Sequence, residues 1–211
     1  MKAEFFFSEH DKDTISEAVR VAESKTSGEI AVMVVDQSDD YPEGRILAGL
    51  VIGGLLSLAV ADLLLAASLW YFVGLAIVLI PLCTWLIEYL PPLKRLFTPD
   101  NRLTDGVNER ALAAFYERGL YKTRDETGVL FFISLFERKV RVLADRGIYQ
   151  KITPESLQEH AHSVARGIKS GLAGQALCQE IERVTEVLAE HFPVKADDTN
   201  ELPDEVIIAK S

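Results

Sequence analysis

Hydrophobic and polar residues are arranged along this chain in three ways, and each arrangement predicts a different element. The first is helical spacing: Ile15, Ala18, Val19 and Ala22 follow Ser8 and Asp11, a capping-box-like start, and Gly28 ends the segment. Similar stretches run over 154–168 and 172–191, the first opened by Thr153-Pro154-Glu155 and the two separated near Ser170-Gly171. A further helix is predicted from a Thr104 cap, carrying Val107, Ala111, Ala114, Phe115 and Leu120 toward a core. The second arrangement is the short unbroken apolar run. "EIAVMVV" (29–35) and "VLFFISL" (129–135) read as strands covered on both faces, whereas "VRVLAD" (140–145), after a turn at "FERK" (136–139), alternates as a half-exposed strand does.

The third arrangement is longer. From Ile46 to Ile87 the only charged residue is Asp62, and the 42 positions are otherwise almost all apolar or small. As one helix the run would measure roughly 63 Å at ~1.5 Å per residue, about twice a ~30 Å hydrocarbon core. Two spans, about 46–65 and 68–88, turning near Ala66-Ala67, fit better; the competing reading is a buried hairpin of a soluble protein. Asp62 then lies about one turn from the far end of the first span, close enough to the headgroups for its carboxylate to reach water.

Flanking charge orients the hairpin. Arg45 precedes it and Lys94, Arg95 and Arg102 follow it, while the turn has no Lys or Arg. The positive-inside rule puts both ends in the cytoplasm, so the protein is expected to be integral to the cytoplasmic membrane with both soluble segments facing inward. Residues 1–45 supply one helix and one strand, and 89–192 supply a helix, a strand hairpin and two more helices. Neither part encloses a core alone, so together they predict an α/β fold with a mixed sheet, interrupted by an inserted two-helix transmembrane hairpin at 46–88. The polar tail, 193–211, is expected to be extended until "VII" (206–208), which can pair as an edge strand.

Composition removes several function classes. A net charge of −10 argues against nucleic-acid binding. The N-terminus has no h-region of secretory length, and Cys83 and Cys178 form neither a C-x-x-C nor a disulfide framework. There is no P-loop, dinucleotide fingerprint or G-x-S-x-G elbow, so neither nucleotide nor flavin is expected, and no serine or cysteine triad. His160 and His162 are two apart on a predicted helix and read as surface or groove residues. Asp36 ends a strand with no second acid two residues on and reads as part of a solvated linker.

The strings "TSGEIAVMVV", "ALAAFYERGLYKTRDETGVLFFISLFERKVRVLADRGI" and "NELPDEV" resemble the TPM domain family, whose members include thylakoid-lumen, photosystem-repair and nematode receptor-associated proteins. The resemblance covers nearly everything outside the hairpin. It implies a TPM-like α/β/α sandwich and a membrane-anchored bacterial member. It also implies either acid phosphatase activity or an assembly or repair role for a membrane-associated partner protein, with divalent cation binding. Better-known members carry membrane helices at the flanks of the domain and export the domain itself, whereas here the hairpin is internal.

If strands 29–35 and 129–135 run parallel, the end of the third strand lies beside their starts. That edge collects Thr26, Ser27, Glu29, Arg124, Asp125, Thr127, Asp145 and Arg146. Glu29 and Asp145 are candidate ligands for Ca²⁺ or Mg²⁺ through their hard oxygens. Glu29, Asp145, Arg146 and Thr127 are the catalytic candidates, the cation clamping a phosphoryl oxygen and an arginine offering forked donors. Cap, turn and strand-end roles explain the same residues without chemistry. In the hairpin, Gly49, Gly53, Ser57 and Ala61 recur every four residues, a small-xxx-small stripe. It can pack on the second span, with Gly74 as the expected counterpart, or form a seam for a partner protein or a homo-oligomer.

Overall fold

In the computed structural model, which describes residues 2–64, 69–194 and 203–209, the chain packs as two units. One joins Met1–Asp39 to Asp105–Ser211, and the other is the intervening Asp40–Thr104. The segment expected as the hairpin, 46–88, lies inside the second unit.

The first unit is a mixed α/β fold. Helix α1 (Glu9–Glu23) starts at Ser8, whose hydroxyl accepts the Asp11 N–H at 3.1 Å while the Asp11 carboxylate accepts the Ser8 N–H at 3.1 Å. Strand β1 (Glu29–Val35) pairs in parallel with β2 (Gly128–Ser134), from Glu29 opposite Gly128 to Val35 opposite Ser134. Strand β3 (Lys139–Ala144) returns antiparallel to β2. Strand β4 (Ile207–Ala209), one residue beyond the expected 206–208, pairs in parallel with Met33–Val35. The sheet order is β3-β2-β1-β4.

Every residue of β1 and β2 is buried because both faces are covered, which is why these runs are unbroken rather than alternating. Ile30, Val32, Val34, Phe131 and Ile133 pack in one cluster with Ile15 and Val19 of α1. Leu157 and Val164 of α7 (Pro154–Lys169) and Leu177, Ile181 and Leu188 of α8 (Ala173–His191) complete that cluster. Ala31, Met33, Leu130 and Phe132 pack in another with Val107, Ala111, Ala114 and Phe115 of α5 (Asp100–Glu117). Helix α5 starts four residues before the expected cap: the Pro99 carbonyl accepts the Leu103 N–H at 3.1 Å. Thr104 is inside the helix, its hydroxyl donating to the Asp100 carbonyl at 2.8 Å.

The second unit holds α2 (Pro42–Leu64), α3 (Leu69–Ile87) and the short α4 (Pro91–Leu96). The expected turn at Ala66-Ala67 lies outside the described residues. Pro42–Leu63 and Leu69–Ile87 are long and apolar enough to cross a membrane. They are antiparallel and close. A β-carbon on Gly49 would stand 2.8 Å from the Thr84 Cα, and one on Gly53 would stand 2.7 Å from the Ile80 Cα. Ser57 and Ala61 continue the same buried seam. The expected counterpart Gly74 is not in it: Gly74 is exposed, with nothing within 4 Å of a β-carbon there among the described residues.

Leu50, Leu55, Leu58, Ile77, Val78 and Leu82 cover the outside of the pair and are exposed. Only 28% and 11% of the two apolar stretches are buried within the chain. Asp62 is exposed in the last turn of α2. At the other end, Arg45 pairs with Glu88 at 2.6 Å and Arg102 with Glu43 at 2.9 Å. The Arg102 guanidinium also sits 5.2 Å from the ring centroid of Tyr41, which is fully buried.

Candidate functional site

Strand pairing brings together the three segments expected to share an edge. Glu29 opens β1 opposite Gly128, and the Asp145 N–H donates to the Gly128 carbonyl at 2.8 Å, one step past the last ladder pair. Glu29 and Asp145 therefore flank β2 from either side, about 10 Å apart at ~4.8 Å per strand. Among the described residues, no group of three His, Cys, Asp or Glu side chains is placed to hold a metal ion.

Most of the polar atoms at this edge serve the backbone. Asp145 caps α6 (Arg146–Tyr149), one carboxylate oxygen accepting the Arg146 N–H at 2.7 Å. The Thr127 hydroxyl donates to the Ser27 carbonyl at 2.8 Å, and the Thr127 N–H donates to the Thr123 hydroxyl. The Thr26 hydroxyl donates to the Phe192 carbonyl at 2.7 Å and accepts the Gly28 N–H, while the Ser27 N–H donates to the same carbonyl. Arg124 and Arg146 are exposed and Asp125 is half-buried. Gly147 is tied down as well: its N–H donates to the Glu126 carbonyl, and a β-carbon there would stand 2.7 Å from that oxygen. Glu126 itself takes a positive φ of 56° to make the bend.

The edge also has members that local sequence patterns miss. Glu23, the last residue of α1, accepts the Ile30 N–H at 3.0 Å with one carboxyl oxygen and shares a side-chain hydrogen bond with Asp204. Glu29, which is 6% exposed, adds its charge to the same neighbourhood. Burial pushes the Glu23 carboxyl up to about 8, opposed by the Ile30 hydrogen bond and reinforced by Glu29 and Asp204. The signal for Asp204 lay in "NELPDEV", but nothing local connects that string to Glu23.

The opposite edge departs from expectation. Asp36 is no solvated linker residue: its Oδ1 accepts the Ala3 N–H at 2.5 Å and ties down the N-terminus. Glu137, in the β2–β3 turn, is fully buried. It accepts the Ser38 N–H at 2.8 Å and the Ser134 hydroxyl, and the Ser38 and Ser134 hydroxyls are 3.0 Å apart. His160 is likewise structural. Its Nδ1 lies 2.7 Å from the buried Glu180 carboxylate, which also takes Arg183 at 2.6 Å, so α7 and α8 are joined there. His162 is exposed beside Gln158.

A groove of about 530 Å³ between α1 and α8 is lined by His10, Asp11, Thr14, Cys178 and Glu182 among others, and by none of the expected site residues. Burial pushes the Cys178 thiol up, with the charge of Asp11 adding to the shift, so the thiol is a poor nucleophile.

Fold and edge together define an α/β protein with a pair of apolar helices inserted between its two central strands. No family model and no curated protein matches the chain. Among solved structures, it is similar to the BA42 protein of the psychrophilic bacterium Bizionia argentinensis, determined by NMR. The match covers 99% of each chain at 20% identity, with a TM-score of 0.62. At that identity the likeness is one of fold.

Proposed function

We propose that this chain is a membrane-anchored TPM-type module that serves as an accessory, assembly or repair factor for a membrane-associated partner protein. The reading takes the α/β unit as a TPM-like α/β/α sandwich held at the cytoplasmic face of a bacterial inner membrane. The observation that carries it is the place of the insertion. β1 and β2 are hydrogen-bonded neighbours in one sheet, and the chain between them contains two exposed apolar helices of spanning length. A chain that leaves a folded unit and must rejoin the same sheet has to cross a bilayer an even number of times. Two spans meet that condition, and Arg45, Lys94, Arg95 and Arg102 favour the cytoplasmic side for both ends.

A cysteine introduced at Ala66, with Cys83 and Cys178 replaced, should react with a membrane-impermeant thiol reagent on intact cells. Reaction only after lysis would reverse the topology. A protein wholly extracted by alkaline carbonate would remove the anchor itself.

Phosphoryl transfer is the weaker reading. The hydroxyls of Thr26 and Thr127 are engaged with backbone carbonyls, and the charge of Glu29 at this edge repels a phosphate unless a cation intervenes. Purified protein is expected to leave an aryl phosphate unhydrolysed at acid pH, with or without Ca²⁺ or Mg²⁺. Cation-dependent turnover that is lost in both Glu29→Ala and Asp145→Ala would replace the module reading with the phosphatase one.

A further inference from the structure

We propose that the C-terminal segment, residues 203–209, is a strap held across the outer edge of β1 by a proton shared between Glu23 and Asp204, and that loss of this proton releases it.

The argument starts from the geometry of the sheet edge. β1 is the strand on which both cores meet, and β4 covers its outer side at Met33–Val35. The strap contributes apolar side chains to both faces: Val206 and Ile208 pack on one cluster, Ile207 and Ala209 on the other. Its contact with the sheet is nevertheless short, three residues of ladder with each side chain only half-buried. A second attachment point therefore matters, and Asp204 supplies it. Asp204 bonds to Glu23, which also accepts the outward-facing N–H of Ile30 on β1. One carboxyl thus joins the end of α1, the edge of β1 and the strap.

Two carboxylates cannot hydrogen-bond to each other without a proton between them. The surroundings of the pair favour keeping one. Burial pushes the Glu23 carboxyl up to about 8 from the ordinary 4.5, and the nearby charge of Glu29 on β1 acts in the same direction. The Arg20 guanidinium of α1, which feels Asp204, is bonded to Glu17. The sign follows from linkage. Only the part of the rise that the strap itself causes, its share of the burial and the Asp204 contact, is linked to closure, so closure is favoured at low pH and loses that support as pH rises toward about 8. Opening should therefore rise with pH up to about 8 and level off above it.

The strand provides its own control. The Glu29 N–H donates toward β2, to the Thr127 carbonyl, and the next amide, Ile30, donates outward to Glu23. Alternation puts the Val34 amide on the strap side and the Met33 amide on the β2 side. Residue-resolved amide exchange on the full chain in detergent micelles tests the strap directly. Between pH 5 and 8 the protection of Val34 should fall, by at most about tenfold per unit for a single proton, while that of Met33 holds. Glu23→Gln and Asp204→Asn each replace the shared proton with an amide donor and should flatten the Val34 profile at its protected level. The strap proposal is wrong if Val34 protection in the unmodified chain does not change with pH, or if both variants retain the full slope.

Discussion

Gly53→Leu is expected to lower the thermal midpoint of the detergent-solubilised protein by roughly 5–10 °C, whereas Gly54→Leu should leave it nearly unchanged. The two glycines are adjacent in one helix, so intrinsic helix propensity favours leucine equally at both. They differ in what a side chain would meet. At Gly53 the first carbon would lie 2.7 Å from the Ile80 Cα and 2.9 Å from its nitrogen, backbone atoms that move only if the helices part. At Gly54 nothing stands within 4 Å among the described residues. Overpacking of this kind costs about 1–3 kcal/mol, or more when backbone is the obstacle, and a chain of this size loses roughly 2–4 °C per kcal/mol. Equal shifts at the two positions would mean that α2 and α3 do not pack through the small-residue seam. Because Gly49, Gly53, Ser57 and Ala61 all face into that seam, it offers no surface to a second copy while the hairpin is closed.

The second large effect belongs to Glu137. Glu137→Ala should destabilise the α/β unit by roughly 2–4 kcal/mol, since the Ser38 N–H and the Ser134 hydroxyl would be left buried without their acceptor. Glu137→Gln keeps one acceptor oxygen and should cost about half as much. Denaturant unfolding of the two variants, beside Glu159→Ala as an exposed acid on α7, separates the contributions. A Glu137→Ala loss no larger than that of Glu159→Ala would deny the buried network any structural weight.

Local patterns revealed most of the elements, and the physical reason is visible in each. β1 was legible to the residue because its run is bounded by Gly28 and Asp36 and covered on both faces. Helix α1 was legible because Ser8 and Asp11 satisfy each other's backbone. The start of α5 was misread because Thr104 has the chemistry of a cap but lies one turn inside a helix that Pro99 and Asp100 begin. The candidate edge was only half legible. Glu29, Thr127 and Asp145 could be placed there from topology alone, since parallel and antiparallel pairing follow from turn length. Glu23, Asp204 and Glu137 could not. Glu23 looks like any helix-end acid, Asp204 lies 175 residues from Glu29 in sequence, and the burial of Glu137 depends on Ser38 arriving from a distant loop.

The position of the hairpin also sets an order of events during synthesis. Both partners of β1, the strands at 128–134 and 207–209, leave the ribosome after the two apolar helices. On the membrane-anchored reading, residues 1–39 must wait as an unpaired helix and an exposed seven-residue strand while the hairpin enters the bilayer. The nascent chain is thus delivered to the membrane before it can fold, and a strand with both edges unpaired is held beside the lipid until β2 is made.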